Sequence, residues 1–341
     1  MSVSYTSILW NKNKKQYDLG ILVLIFSFLI IFSLLNVIAF PDVTLETILI
    51  RATGWLAILL LHIILVIGPL ARFNPRFNII LYNRRHLGVI MCFIGLIHGS
   101  LNLIQFHSLG DMNAFRSVFL SNVRYDSLMY FPFQVLGFFG LIVLCLMAAS
   151  SHDFWLKNLG IKIWKGLHML VYLAYALLVS HIALGGLQNE TNPVIFAVLI
   201  VGFLTVAGLH LFAGFKEVKF DQPITSKDPF IPVCHVNEIA ENRAKIFTVG
   251  DERVAIYKYD GQLSAVNNVC RHQGGPLGEG KIIDGCITCP WHGYQYLPGN
   301  GQSPPPFTEQ VETYHLKLEE GQILINPIPN EPGTPVKPVK I

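Results

Sequence analysis

Four residues in the last third of the 341-residue chain have the types and spacing of a metal centre: Cys270 and His272 in C-R-H, then Cys289 and His292 in C-P-W-H. Two thiolates and two neutral imidazoles suit either one tetrahedral zinc ion or a two-iron, two-sulfide cluster whose irons take unlike ligand pairs. Here each Cys shares a loop with its own His. Gly274, Gly275, Gly278, Gly280 and Gly293 supply the tight turns that bring two loops around a cluster, which favours the two-iron reading. Thiolates on one iron and imidazoles on the other raise the potential above that of an all-Cys cluster.

A second set of chemistry-bearing residues lies in apolar sequence, where an ionisable side chain is a functional candidate by default: His62, His86, His98, His168, His181 and His210. Two segments carry a pair each, His86 with His98 and His168 with His181, twelve and thirteen residues apart. On helices these spacings separate two levels by roughly 18 to 20 Å. Two stacked hemes, each clamped by one imidazole from each helix, need such an arrangement, and bis-His ligation suits electron transfer.

Composition shows what positions these groups. Residues 1–215 carry 13 Lys+Arg and 7 Asp+Glu among long apolar runs, whereas residues 216–341 carry 12 and 15 in mixed sequence. The mild net positive charge is thus a sum of unlike halves and gives no sign of nucleic acid binding. Six apolar stretches approach the roughly 20 residues needed to cross a bilayer: 19–40, 52–71, 86–106, 131–150, 164–187 and 193–215. The first is too long for a signal peptide and reads as an anchor. Lys12, Lys14, Lys15, Arg72, Arg76, Arg84, Arg85, Lys157, Lys162 and Lys165 fall on one side of this pattern, which places both termini in the cytoplasm. Cys234 and Cys286 read as buried thiols of a reduced domain, and Cys92 and Cys145 as small apolar residues of the spans.

From Ile231 onward, period-two strands such as Arg253 to Tyr259 alternate with turns such as Asp260-Gly261, the pattern of a small antiparallel β domain. Its C-x-H and C-x-x-H loops, with the D-G-x-x-x-A-x-x-N-x-C lead-in at Asp260 to Cys270, resemble the Rieske ferredoxin family over about 100 residues. The resemblance implies a [2Fe-2S] cluster on Cys270, His272, Cys289 and His292, covered by a loop at Pro304, Pro305 and Pro306. High-potential members add a disulfide between Cys residues at positions held here by Gly275 and Trp291. They also place a hydroxyl donor where Tyr294 stands. Both departures point to the lower part of a range of about −150 to +300 mV, although Tyr296 matches a second hydroxyl position. Neither a 2-His-1-carboxylate oxygenase domain nor a G-x-G-x-x-G dinucleotide site is evident.

The apolar half carries T-G-W-L-A-I-L-L-L from Thr53, G-P-L-A-R from Gly68, R-R-x-L-G from Arg84 and W-K-G-L-H-M-L-V-Y from Trp164. Together these resemble the ferric-reductase-like transmembrane family, as in the heme-binding membrane subunit of bacterial methionine sulfoxide reductase, over about residues 45–190. The resemblance carries His98, His168 and His181 over as heme ligands. His86 is outside that subunit's pattern, although related NADPH oxidases use a fourth histidine near this level; its other reading is an interfacial histidine beside two arginines. His210 is the reserve for the inner site, and His62 reads as a hydrogen-bonded histidine of the bundle. Arg84, Arg85 and Lys165 stand where inner heme propionates would need them.

The expected architecture is a six-helix transmembrane α bundle (1–215), a linker (216–227), a small all-β Rieske domain (228–330) and a Pro-rich tail (331–341). The expected role is transmembrane electron transfer between the cluster and one or two b-type hemes in the inner membrane. The donor would be a cytoplasmic ferredoxin, a reductase or membrane quinone, and the acceptor a protein or small molecule outside. Quinol-linked delivery toward a cytoplasmic enzyme and a membrane redox sensor are the competing readings.

Overall fold

The computed structural model describes residues 12–341 except 78, 79, 82, 190–192, 221, 222, 225–227 and 292. Its contacts divide the chain into two compact units at His210/Leu211. The helical unit is built from α1 (Lys12–Ala39), α2 (Leu45–Phe73), α3 (Arg84–Asn102), α4 (Ala114–Leu120), α5 (Phe133–Ala149), α6 (Asp153–Met169) and α7 (Val171–Leu184). The last helix, α8 (Pro193–Phe220), crosses the division.

Among the described residues, five helical stretches are long and apolar enough to cross a membrane: Lys15–Ala39, Leu45–Phe73, Arg84–His107, Lys162–Leu184 and Pro193–Val218. The sixth expected stretch, 131–150, is a shorter apolar helix. There α5 has 17 residues, about 25 Å of helix against a hydrocarbon layer of about 30 Å. Pro132 precedes its first turn. At its other end Ser150 and Ser151 turn their hydroxyls back onto the Leu146 and Met147 carbonyls. Conversely, α2 begins earlier than the apolar run, taking Glu46 and Arg51 into the helix, with Thr44 as its N-cap.

Small residues set the helix contacts, as expected where no hydrophobic effect drives association. Gly95 and Gly99 of α3 face Leu141 of α5, with hypothetical methyl groups 3.2 and 3.0 Å from its branches. Gly140 of α5 meets Leu178 of α7 in the same way.

The second unit is all β. Strands β2 (Arg243–Val249), β3 (Glu252–Tyr259) and β4 (Gln262–Asn267) form an antiparallel meander. β8 (Thr313–Tyr314) and β11 (Val339–Lys340) also pair with β4. A second sheet joins β1 (Ile231–His235), β10 (Gln322–Ile325) and β9 (Leu316–Glu319). Residues 331–341, read from their prolines as a tail, return to the domain, where Val339 pairs with Leu263 and Val336 N–H bonds Gly299. The third sheet, β5 (Lys281–Ile283), β6 (Cys286–Thr288) and β7 (Gln295–Tyr296), carries one of the two Cys-His loops.

Hairpin chemistry sets the register. Asp260-Gly261, Asp284-Gly285 and Glu320-Gly321 each join paired strands as two-residue loops with both φ values positive, the type I′ geometry whose twist matches that of the strands. Gly280 is required for a different reason: at φ −80° its conformation suits any residue, but a methyl group there would strike the Thr288 and Leu277 carbonyl oxygens. Gly280→Ala is expected to cost the β domain about 1–3 kcal/mol of overpacking strain, which thermal unfolding monitored by near-UV circular dichroism would register.

Candidate functional site

The two Cys-His loops share one backbone pattern. Cys270 N–H bonds the Gly275 carbonyl (2.8 Å) and Gly274 N–H returns to Cys270 (2.7 Å). Cys289 N–H bonds the Tyr294 carbonyl (2.8 Å) and Gly293 N–H returns to Cys289 (3.0 Å). In both loops the glycine four residues after Cys has positive φ, 72° and 69°. This is the conformation for which glycine carries no steric cost. The loops abut: a methyl on Gly275 would lie 2.9 Å from Cys289 Sγ. Cys270 and Cys289 are 1% and 2% exposed, and their thiols are hydrogen-bonded. His272 is held beside them, with its ring stacked 5.0 Å from Tyr294. The fourth expected ligand, His292, lies outside the described residues.

Thiol electrostatics separate ligand candidates from packing cysteines. Burial pushes the Cys270 thiol up. Hydrogen bonds from the Cys289 thiol, the Tyr296 hydroxyl and the His272 and Gln273 backbone outweigh it and leave Cys270 below the ordinary thiol value. Burial without such donors pushes Cys234 up to about 11 and raises Cys286, so both remain thiols.

The two tyrosines have different tasks. Tyr296 Oη accepts from Arg271 N–H (2.9 Å) and lies 3.4 Å from Cys270 Sγ, so its own proton is available to the sulfur. Tyr294 instead gives its hydroxyl to Glu309, which no local motif signals. Phe307, immediately after the three prolines, packs on Tyr294 at 4.9 Å and brings the proline loop to this side of the site.

In the helical unit, His98 Nδ1–H donates to the Ile50 carbonyl (3.0 Å) and His181 Nδ1–H to the Phe133 carbonyl (2.8 Å). Each acceptor lies four residues before a glycine that faces the ring. A methyl on Gly54 would lie 2.8 Å from His98, and one on Gly137 would lie 2.7 Å from His181. The two rings stand 6.4 Å apart at 83°. A metal at about 2.0–2.1 Å from one nitrogen of each imidazole sets those nitrogens about 4 Å apart and the ring centres roughly 6 Å apart, so the pair fits an iron held from both sides. Only Asn102, at a long 3.3 Å, meets His98 Nε2 among the described hydrogen bonds.

The inner pair is not brought into ring contact. His86 Nδ1–H is held by Asp18 of α1 (2.9 and 3.0 Å). His168 Nδ1–H bonds the Trp164 carbonyl (3.0 Å), and its ring stacks on the Trp164 indole at 3.9 Å. Arg85 lies over that indole at 5.7 Å, so its cation faces the His168 neighbourhood. His210 bonds the Val206 carbonyl and meets Tyr172. The expectation for His62 is corrected: its buried Nε2 has no hydrogen-bond partner among the described residues.

A Rieske [2Fe-2S] domain model matches residues 229–315, and a ferric reductase like transmembrane component matches residues 53–179. The alkene monooxygenase ferredoxin component of Xanthobacter autotrophicus is 31% identical over 105 residues, 30% of this chain and 86% of that protein. The anthranilate 1,2-dioxygenase ferredoxin subunit of Burkholderia cepacia is 28% identical over 96 residues, 28% of this chain and 89% of its own. The solved ferredoxin of carbazole 1,9a-dioxygenase from Nocardioides aromaticivorans IC177 shares 20% identity at a TM-score of 0.28, covering 30% of this chain and all of that one.

Fold and site thus define a multi-pass membrane protein of electron transfer, whose β domain carries a [2Fe-2S] cluster. Through that domain the chain belongs to the Rieske family, and its helical half carries a ferric-reductase-like transmembrane component. Removing the Tyr296 hydroxyl takes one hydrogen bond from the more negative, reduced cluster. Tyr296→Phe is therefore expected to lower the cluster potential by roughly 20–65 mV. Tyr294→Phe, whose hydroxyl serves Glu309, should change it far less; EPR-monitored redox titration of the two variants compares them.

Proposed function

We propose that the protein is a transmembrane electron-transfer component that passes reducing equivalents outward, from a cytoplasmic ferredoxin, reductase or membrane quinone to a protein or small-molecule acceptor beyond the inner membrane. Cys270, His272, Cys289 and His292 hold the cluster on the cytoplasmic side. His98 and His181 hold a b-type heme toward the outer face, and His168 with His86 holds a second nearer the cytoplasm. When bound, these groups supply one-electron carriers that change charge with little rearrangement.

The observation that carries this reading is the approach of His98 to His181, each with Nδ1–H given to a backbone carbonyl. Those bonds fix the tautomer that leaves Nε2 for a metal. The protein's own work is otherwise to orient and to screen. Gly54 and Gly137 admit the rings, Asp18 orients His86 by the carboxylate-histidine device common around metals, and Arg85 brings a cation to the inner level. In the β domain, the paired loops and Tyr296 hold the thiolates.

Direction rests on potentials: a cluster clearly above both hemes would count against outward flow. Purified full-length protein should show both a Rieske EPR signal and low-spin heme in its optical spectrum. His98→Ala or His181→Ala should each remove one heme while leaving the cluster signal in place. His86→Ala should remove the other heme, and an unchanged heme count in that variant would sink the inner assignment.

A further inference from the structure

Two of the buried polar atoms in the helical unit that find no hydrogen-bond partner among the described residues are Nε2 of His62 on α2 and the hydroxyl of Tyr175 on α7. The side chains are 7% and 6% exposed, and their rings meet edge to face at 5.6 Å. The placement is built in, because a methyl group on Gly202 of α8 would lie 2.5 Å from the His62 ring. Only a residue without a side chain lets the imidazole lie there. A buried, unpaired polar group forfeits its hydration without recompense, and no lipid can relieve it. Along its span Tyr175 follows His168 by seven residues and precedes His181 by six, so the pair lies between the two levels proposed for heme, roughly 10 Å from each.

We propose that His62 and Tyr175 form a proton-binding site that takes up one proton when an electron enters the bundle. The inference rests on the heme reading. An electron delivered from the donor side adds a negative charge to a region of low dielectric. A proton drawn from bulk water onto neutral His62 cancels that charge, and one N–H bond is formed. The Tyr175 oxygen then accepts from the new imidazolium N–H, directly or through one water. In this way the two unpaired groups become each other's partners in the reduced state.

Few other groups compete for this role. The helices packed on α2 bring Asp18 from α1 and Arg84, Arg85, His86, Cys92 and His98 from α3, while α7 and α8, which meet His62 through Tyr175 and Gly202, carry His181 and His210. Asp18 and His86 bond each other. No charged side chain among the described residues acts on either His62 or Tyr175, whose environments are set by burial alone.

The test is optical redox titration of the hemes in the full-length protein in lipid nanodiscs, from about pH 5 to pH 8, where imidazole changes charge. One proton per electron makes a tenfold change in proton activity equivalent to about 59 mV. The potential of at least one heme is therefore expected to fall toward that slope per pH unit. His62→Gln, which keeps hydrogen-bonding capacity without titrating, should flatten the slope. Tyr175→Phe should keep the slope but move it to lower pH, since the imidazolium loses its acceptor. A native slope that survives in His62→Gln with an unchanged heme spectrum overturns the inference, as does a native protein without pH dependence. If His62→Gln loses heme, Tyr175→Phe decides, and an unmoved profile overturns the proposal. A native protein with no heme spectrum would instead sink the heme reading itself.

Discussion

An imidazole buried in hydrocarbon needs its ring N–H satisfied, and the helical unit does this for His98 and His181 with backbone carbonyls. Each backbone carbonyl of a helix is already committed four residues onward. Ile50 and Phe133 nonetheless accept an additional bond, from His98 and His181. The rings reach these carbonyls because Gly54 and Gly137, the very residues whose N–H groups those carbonyls serve, present no side chain. A glycine inside a helix sacrifices about 1 kcal/mol of propensity, a cost accepted at both positions. The same contacts tie α2 to α3 and α5 to α7, while Gly95 and Gly99 bring α3 against α5. Helix packing and imidazole orientation are thus one problem with one solution.

The β domain solves its version of the problem with loops. Two Cys residues must face each other with their backbone N–H groups satisfied, and both loops achieve this with the same pair of bonds and a glycine in the left-handed region. The remaining difference between them lies in the side chains. Tyr296 brings a hydroxyl to Cys270, whereas Tyr294 spends its hydroxyl on Glu309 and offers His272 a ring face. The domain therefore adds one side-chain hydroxyl to the backbone donors at Cys270 and shields an imidazole with an aromatic surface.

Residue spacing alone makes much of this legible. The C-x-H and C-x-x-H loops, the Asp260-Gly261 hairpin and the histidine pairs follow from local pattern, because turn chemistry and ligand pairing act over a few residues. What escapes local pattern is any property that belongs to two distant segments. The Ile50 and Phe133 carbonyls carry no side-chain signature, and Glu309 reaches Tyr294 across 15 residues. His62 looks like an ordinary bundle histidine until α8 is placed beside it and its Nε2 is found unpaired. The short α5 was hidden differently: the apolar run continues before it through Met129, Tyr130 and Phe131, but the helix starts only after Pro132.

The two histidine levels are anchored by different chemistry, and on the proposed assignment that difference has a direction. At the outer level both Nδ1–H groups meet neutral carbonyls. At the inner level His86 meets the Asp18 carboxylate. A carboxylate on the far nitrogen makes an imidazole a more basic ligand, which favours the oxidised, more positive state of whatever metal it holds. The inner level is thereby biased toward the lower potential and the outer level toward the higher. Arg85, beside the Trp164 that stacks on His168, opposes this bias with a positive charge, but from 5.7 Å across an indole and not through a hydrogen bond to a ligand. On that assignment the carboxylate in direct contact with a ligand ring and the cation behind an aromatic spacer act on the inner level in opposite senses.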